Sequence, residues 1–175
     1  MNRNKNFSNM IFIGLVLISA VFLSGCEYTG SSLLPSHINK IYITPFINKS
    51  FRPDLPEKIL WAVEKEFISD GRLIVSNQKD ADAVLYGEIT QYTLQPMSYT
   101  EQMNVQEYRL RIVIDIWLDD LQQGSVLWKE KDIEVYTTAS STQGGLEVKI
   151  EGEVINEVVE KLARKVVKRV IDGWT

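Results

Sequence analysis

The 175-residue sequence holds one cysteine and one histidine, and each scarcity removes a class of chemistry. With no second thiol there is no internal disulfide, so the fold must rest on its hydrophobic core even in an oxidising compartment. His37 has no cysteine partner and no H-x-x-H or H-E-x-x-H spacing around it, which leaves neither a metal site nor a histidine-based triad to be assembled within the chain. There is no G-x-S-x-G, no P-loop and no G-x-G-x-x-G. The adjacent carboxylates Asp119 and Asp120 fall where a turn is expected, and solvation accounts for them. No nucleophile, base or metal set comes together, so no enzyme activity and no cofactor are expected. Internal repeats and low-complexity tracts are also missing.

What is present begins with a leader. Arg3 and Lys5 precede a mostly apolar block from Met10 to Leu23, and no acidic residue occurs before position 26. That is the layout of a secretory signal peptide. A retained transmembrane helix would need about 20 apolar residues, more than this block supplies. The block closes on Leu23-Ser24-Gly25-Cys26, which resembles the bacterial lipoprotein lipobox, whose cysteine is lipidated after cleavage just before it. A buried structural cysteine beside an ordinary cleavage site is the alternative. Residues 1–25 are thus expected to be removed, and residues 26–39, with Gly30, Ser31, Ser32 and Pro35, to form a tether carrying lipid on Cys26. Glu27 stands where an inner-membrane retention signal would place aspartate, which points to the outer membrane. Residues 40–175 remain for one domain. The part after residue 25 keeps all 23 acidic residues and 17 of the 19 basic ones, a formal charge of −6. That balance argues against nucleic-acid binding, which needs a basic face.

The patterning predicts a two-layer α/β sandwich, one mixed sheet with two helices packed on one face. Lys40 to Ile47 has strand character and carries Pro45. Asp54-Leu55-Pro56-Glu57 reads as a helix start with an N-cap acid, followed by an apolar stripe of Leu55, Ile59, Ala62, Val63 and Phe67 and a stop at Gly71. Trp61 and Ile68 fall off that stripe. Either a loop covers them or they are a partner contact. Arg72 to Val75 is a short strand, and Asp82 to Leu94 a longer one with Val84, Tyr86 and Leu94 on one side and Leu85 and Ile89 on the other. Gln95 to Val105 is expected as a loop, and its Met97, Tyr99 and Met103 fold back on the core or meet a partner. Gln106 to Leu118 alternates most strictly: Tyr108, Leu110, Ile112, Ile114, Ile116 and Leu118 make one apolar face. It turns through Gly124 into Val126 to Tyr136, with a bulge expected near Lys129 to Lys131 to reconcile Val126 and Trp128 with Ile133 and Val135. Thr137 to Gly145 is expected as a polar loop. Leu146 to Ile171 follows as a long helix with Ile155, Val158, Val159, Leu162, Val166 and Val170 inward and solvated i,i+4 pairs Glu157–Lys161 and Glu160–Arg164 outward.

If the even-numbered face of the Gln106 strand meets the helices, the face with Arg109, Arg111, Val113 and Trp117 stays open. Arg109 and Arg111 lie about 7 Å apart along a strand, and Lys129 and Lys131 on the next strand are candidates to join them in holding phosphates. The other reading is a solvated face whose charges pair with Glu107, Asp115 or Glu130. Trp117 joins Trp61, Ile68, Met97 and Tyr99 as a candidate partner contact.

At this point the sequence resembles the LptE-like family of outer-membrane lipopolysaccharide-assembly lipoproteins. The resemblance is carried by the order of many short pieces: Gly25-Cys26-Glu27-Tyr28-Thr29-Gly30, Pro45-Phe46 with Asn48-Lys49-Ser50, Phe51-Arg52-Pro53-Asp54-Leu55, and Asp70-Gly71-Arg72-Leu73. It continues through Ala81-Asp82-Ala83-Val84-Leu85, Gly87-Glu88-Ile89, Tyr108-Arg109-Leu110 and Gly124-Ser125-Val126-Leu127-Trp128. Glu27 departs from the glycine that the family often has. The resemblance implies a two-layer α/β domain that sits in the LptD-type β-barrel, aids its assembly and binds lipopolysaccharide. A periplasm-facing chaperone or pilot lipoprotein for another outer-membrane channel, with no glycolipid to bind, is the alternative. The lipobox generates a direct expectation: Cys26→Ser removes the acceptor thiol, so palmitate labelling disappears and the protein leaves the membrane fraction. A variant that still carries label would refute the assignment of Cys26.

Overall fold

The computed structural model describes residues 34–140 and 147–173, with side chains described outside 147–153. It divides into two units, 1–31 and 32–175, of which only the second falls among the described residues. Its elements are β1 (Lys40–Ile43), β2 (Ile47–Asn48), α1 (Leu55–Asp70), β3 (Ile74–Val75), β4 (Ala83–Tyr99), β5 (Val105–Asp120), β6 (Ser125–Ser140) and α2 (Glu147–Asp172). They form one mixed sheet in the order β3-β1-β4-β5-β6, with β2 pairing β4. β1 runs parallel to β3 and β4, and the β4-β5-β6 meander is antiparallel. The chain between β1 and β3 contains α1, as a parallel pair demands of its crossover. Among the described residues no helix is long and apolar enough to cross a membrane.

The alternation of β5 sets the layers. Tyr108, Leu110, Ile112, Ile114, Ile116 and Leu118 are all buried in one cluster with Leu55, Ile59, Val63 and Phe67 of α1 and with Val158, Leu162, Val166 and Val170 of α2. Each aliphatic side chain so buried contributes about 1.5–3 kcal/mol. The buried face of α2 is wider than the stripe read from the sequence, adding Ala163, Val167 and Ile171, because α2 packs against β5 and β6 on one side and α1 on the other.

Several elements differ from the sequence reading, each for a local reason. The single strand expected over Lys40 to Ile47 is two pieces. Pro45 cannot donate to a ladder, and between the pieces Phe46 turns its ring, 3% exposed, over Gly87. Leu94 belongs with Leu85 and Ile89 rather than with Val84 and Tyr86, because a bulge at Thr90 shifts the β4–β5 register and reverses parity beyond it. The loop expected from Gln95 shrinks to residues 100–104, since β4 continues through Pro96 to Tyr99. Proline is tolerated there because β4 has become an edge strand. The stretch expected to open a loop at Thr137 is strand through residue 140. β6 runs to Ser140, and Thr137, 5% exposed, donates its hydroxyl to Glu157 at 2.8 Å; the remainder, 141–145, lies outside the described residues. Two shifts in the β5–β6 register, at Leu127 and at Lys131–Asp132, do what one expected bulge was asked to do. Asp132 takes a left-handed φ of 55° at the second. At the start of α1, Asp54 makes no capping bond; its carboxylate instead accepts from Arg52 Nε at 2.8 Å. Gly71 does end the helix, with φ 75°.

The outward charges of α2 do more than meet water. Glu157 pairs with Lys161 at 2.6 Å, as the i,i+4 spacing predicts, while Lys165 donates to the Glu134 carbonyl and Arg169 pairs with Glu130. These contacts latch the helix to β6. Arg72 joins the ends of both helices through Asp70 and Asp172.

The segment ahead of β1 is docked from Leu34 onward rather than free up to Asn39. Ile38 is 5% exposed within the core, and His37 Nε2 lies 2.7 Å from Asp120 Oδ2, whose side chain is fully buried. Burial pushes the Asp120 pKa up, but the bonds from the Gln123 N–H, from His37 and from the Gln122 N–H prevail and hold it below the usual range. The backbone N–H groups of Asn39 and Lys40 lower Asp82 in the same way.

Two outcomes follow from this packing. A methyl group at Gly87 would overlap the Phe46 ring, so Gly87→Ala should lower stability by about 1–3 kcal/mol, with partial recovery on adding Phe46→Leu, read by urea unfolding. Carboxylates with lowered folded pKa contribute stability above their unfolded value, near 4, and lose it as pH falls through the folded one. Unfolding midpoints should therefore drop below about pH 4, and Asp82→Asn and Asp120→Asn should each flatten that decline. An unchanged slope in both variants would remove the two carboxylates from the explanation.

Candidate functional site

The face of the sheet turned away from the helices carries the odd-numbered residues of β5, as the alternation predicts. It is not a plain wet surface. Val113 and Val84 lie on it yet are only 2% and 1% exposed. In its lower half Tyr86 and Trp117, paired across β4 and β5, stack with centroids 5.4 Å apart. Lys129, opposite Trp117 on β6, places its ammonium 4.7 Å from the indole centroid. Beside this column, Asp119 has a buried carboxylate oxygen with no hydrogen-bond partner among the described residues, and burial pushes its pKa up.

The upper half holds the arginines. Arg111 donates to Glu134 at 2.7 Å and to Gln91 at 2.9 Å. The Glu134 carboxylate raises the Arg111 pKa and is itself lowered by Arg111. Arg111 is thus already neutralised. Arg109 instead lies over the Tyr136 ring at 4.9 Å, and no carboxylate pairs with it among the described residues. Its Nε is buried without a partner. The exposed rings and chains of Tyr136, Met97 and Tyr99 belong to the same end of the sheet, beside β5 residues 105–111.

The register therefore brings together only part of the candidate set. Arg109 and Arg111 share one face, but Lys129 sits opposite Trp117, about 20 Å along the strand from Arg111. Lys131 lies at the second bulge, opposite the Ile114–Ile116 step. Neither lysine joins the arginines. The partner candidates also separate. Trp61 and Ile68 are each 69% exposed and line a groove between α1 and α2 with Ala62, Val159 and Ala163. Met97 and Tyr99 lie near the β4–β5 tip, and Trp117 is held in its stack. Cys26 lies outside the described residues. What the sequence did not reveal is the pairing that distinguishes the two arginines, since Gln91, Glu134 and Tyr136 meet them only through register. Among the described residues no three His, Cys, Asp or Glu side chains group to hold a metal ion.

Comparison with known proteins places this geometry in context. The family described as LptE, lipopolysaccharide-assembly, matches residues 38–170. No curated protein sequence matches the chain significantly. Among solved structures, uncharacterized lipoprotein B from Nitrosomonas europaea is 19% identical, with TM-score 0.53 over 78% of this chain and 83% of that one. Rare lipoprotein B from Shewanella oneidensis is 16% identical, with TM-score 0.51 over 74% and 92%. The hypothetical protein CT253 from Chlamydia trachomatis is 12% identical, with TM-score 0.53 over 76% and 95%. At such identities the likeness is one of fold.

Proposed function

The chain belongs to the LptE family of lipopolysaccharide-assembly proteins, and from that footing we propose that it is an outer-membrane lipoprotein, lipidated on Cys26, that partners an LptD-type β-barrel. The observation that carries this reading is the family match across residues 38–170, almost the whole described domain. In this role the domain plugs and helps assemble the barrel and binds lipopolysaccharide on its way to the cell surface. It breaks no bond; its work is to hold.

Arg109 is the phosphate contact in this reading. Its guanidinium lies over Tyr136 and forms no ion pair among the described residues, so binding an anion displaces no ion pair described there. Arg111 would have to give up Glu134 first. Met97, Tyr99 and Tyr136 supply exposed apolar surface near that cation, which suits a ligand bearing both phosphates and acyl chains.

Two measurements test the proposal. The protein should co-purify from its host with a lipopolysaccharide-exporting barrel, and depletion should reduce both folded barrel and surface lipopolysaccharide; normal levels of both would refute it. A hydrogen bond to a charged group contributes about 1.5–3 kcal/mol, so Arg109→Ala should weaken binding of phosphorylated lipid A by about tenfold or more. Arg111→Ala should have the smaller effect, and equal affinity for wild type and Arg109→Ala would remove Arg109 from the site.

A further inference from the structure

The charges of α2 are segregated along its length. From 161 to 169 the helix reads Lys161-Leu162-Ala163-Arg164-Lys165-Val166-Val167-Lys168-Arg169, the densest basic run in the sequence, with no acid in it. Steps of three and four residues place the five bases in one stripe. Glu157 pairs with Lys161 and Glu130 with Arg169, and Lys165 donates to a backbone carbonyl. Arg164, Lys165 and Lys168 form no ion pair among the described residues. The helix dipole favours bases only in the last turn, where Arg169 alone falls. Lys165, Lys168 and Arg169 line a cavity of about 320 Å³ with Asp172, whose carboxylate Arg72 already holds.

This basic half lies toward one end of the sheet. α2 runs antiparallel to β6, since Glu157 meets Thr137, Lys165 meets Glu134 and Arg169 meets Glu130. Its C-terminal half therefore points to the end where β5 turns into β6. Residues 121–128 of that turn carry no charge, and Leu121 and Val126 are 46% and 58% exposed. Carboxylates at this end are engaged: Asp70 and Asp172 by Arg72, Asp120 by His37, and Asp82 by the Asn39 and Lys40 N–H groups. The other exposed apolar sites are charged differently. The α1–α2 groove mixes Glu64, Glu66 and Glu160 with its bases, and residues 95–108 at the opposite tip hold Glu101 and Glu107 and no base.

The N-terminal segment docks at this same end, through His37 and Asp120. Eight residue steps separate Cys26 from Leu34, a reach of at most about 29 Å. A lipid on Cys26 would hold this end that close to the bilayer, with no such limit on the opposite tip.

We propose that the end of the domain formed by the β5–β6 turn and the basic run of α2 rests on an anionic phospholipid surface. The apolar turn enters the interface, and Lys165, Lys168 and Arg169 meet headgroup phosphates. The proposal rests on the lipid anchor assigned to Cys26 and adds which part of the domain meets the bilayer. An acyl anchor and a basic patch then act together, the patch setting the orientation. Arg169 lies level with Glu130, about 17 Å of strand back from Ser125, so the domain meets the surface inclined toward its helices.

Protein processed and lipidated in its host, with a bimane on Gln122→Cys or on Met103→Cys, tests this. The vesicles contain phosphatidylethanolamine and phosphatidylglycerol with spin-labelled headgroups. Bimane at 122 should dim about twofold or more, because an interfacial element sits within about 5–10 Å of the headgroups; bimane at 103 should keep its intensity. Replacing phosphatidylglycerol with phosphatidylcholine should reverse most of the dimming. Lys168→Glu, an exposed change that leaves the unfolding midpoint in place, should do the same. Protein that floats with the vesicles without dimming at 122 would overturn the inference and leave the anchor on Cys26 intact. Equal dimming at 122 and 103, or dimming indifferent to phosphatidylglycerol and to Lys168→Glu, would overturn it likewise. Protein that fails to float would overturn both.

Discussion

The structure depends on the two-residue period of β5. Six alternate side chains from Tyr108 to Leu118 are buried in one cluster with residues of both helices, and a slip of one residue would send all of them to the other face. Every other placement is referred to that strand. β4 and β6 pair with it on either side, α1 and α2 cover its even face, and the arginine pair and the aromatic stack occupy its odd face. The register shifts at Thr90, at Leu127 and at Lys131–Asp132 occur where its neighbours' patterns fall out of phase with it.

This arrangement assigns different tasks to two faces that resemble each other in composition. The inner face is dry and closed by α1 and α2. The outer face buries a little apolar surface of its own, Val84 and Val113, and several of its polar side chains are stacked or ion-paired. Arg111 and Lys129 are engaged there, one by Glu134 and one by Trp117. Arg109 lies over the Tyr136 ring instead, and no carboxylate pairs with it among the described residues. The difference between neighbouring arginines on one strand comes from what lies across the ladder.

Legibility in the sequence followed how local each signal was. The β5 alternation, the apolar stripes of α1 and α2, the Gly71 stop and the exposed pair Trp61 and Ile68 are visible because each depends on spacing within one element. The phase of Leu94, the extension of β4 through Pro96 and the polar end of β6 were hidden, because they depend on partners far away in sequence. Pro96 reads as a strand breaker until it is known that, among the described residues, no strand pairs with β4 there on the side away from β5. Thr137 reads as loop until Glu157 is placed beside it. The same holds for the site: both arginines were named from parity, but the register needed to exclude Lys129 and Lys131 required the bulges. His37 read as a bystander until Asp120 was brought to it.

The meander has a length as well as a pattern. β5 spans 16 residues, about 50 Å of extended chain, with His37 bound at its Asp120 end and the 100–104 tip at the other. The hydrocarbon layer of a bilayer is about 30 Å thick. A domain of this gauge, set lengthwise in a barrel, would fill the full depth of the wall and still project from a mouth. The distance between its docked N-terminal segment and its tip would then act as a spacer, fixing how far from the membrane surface the β4–β5 turn can present Met103.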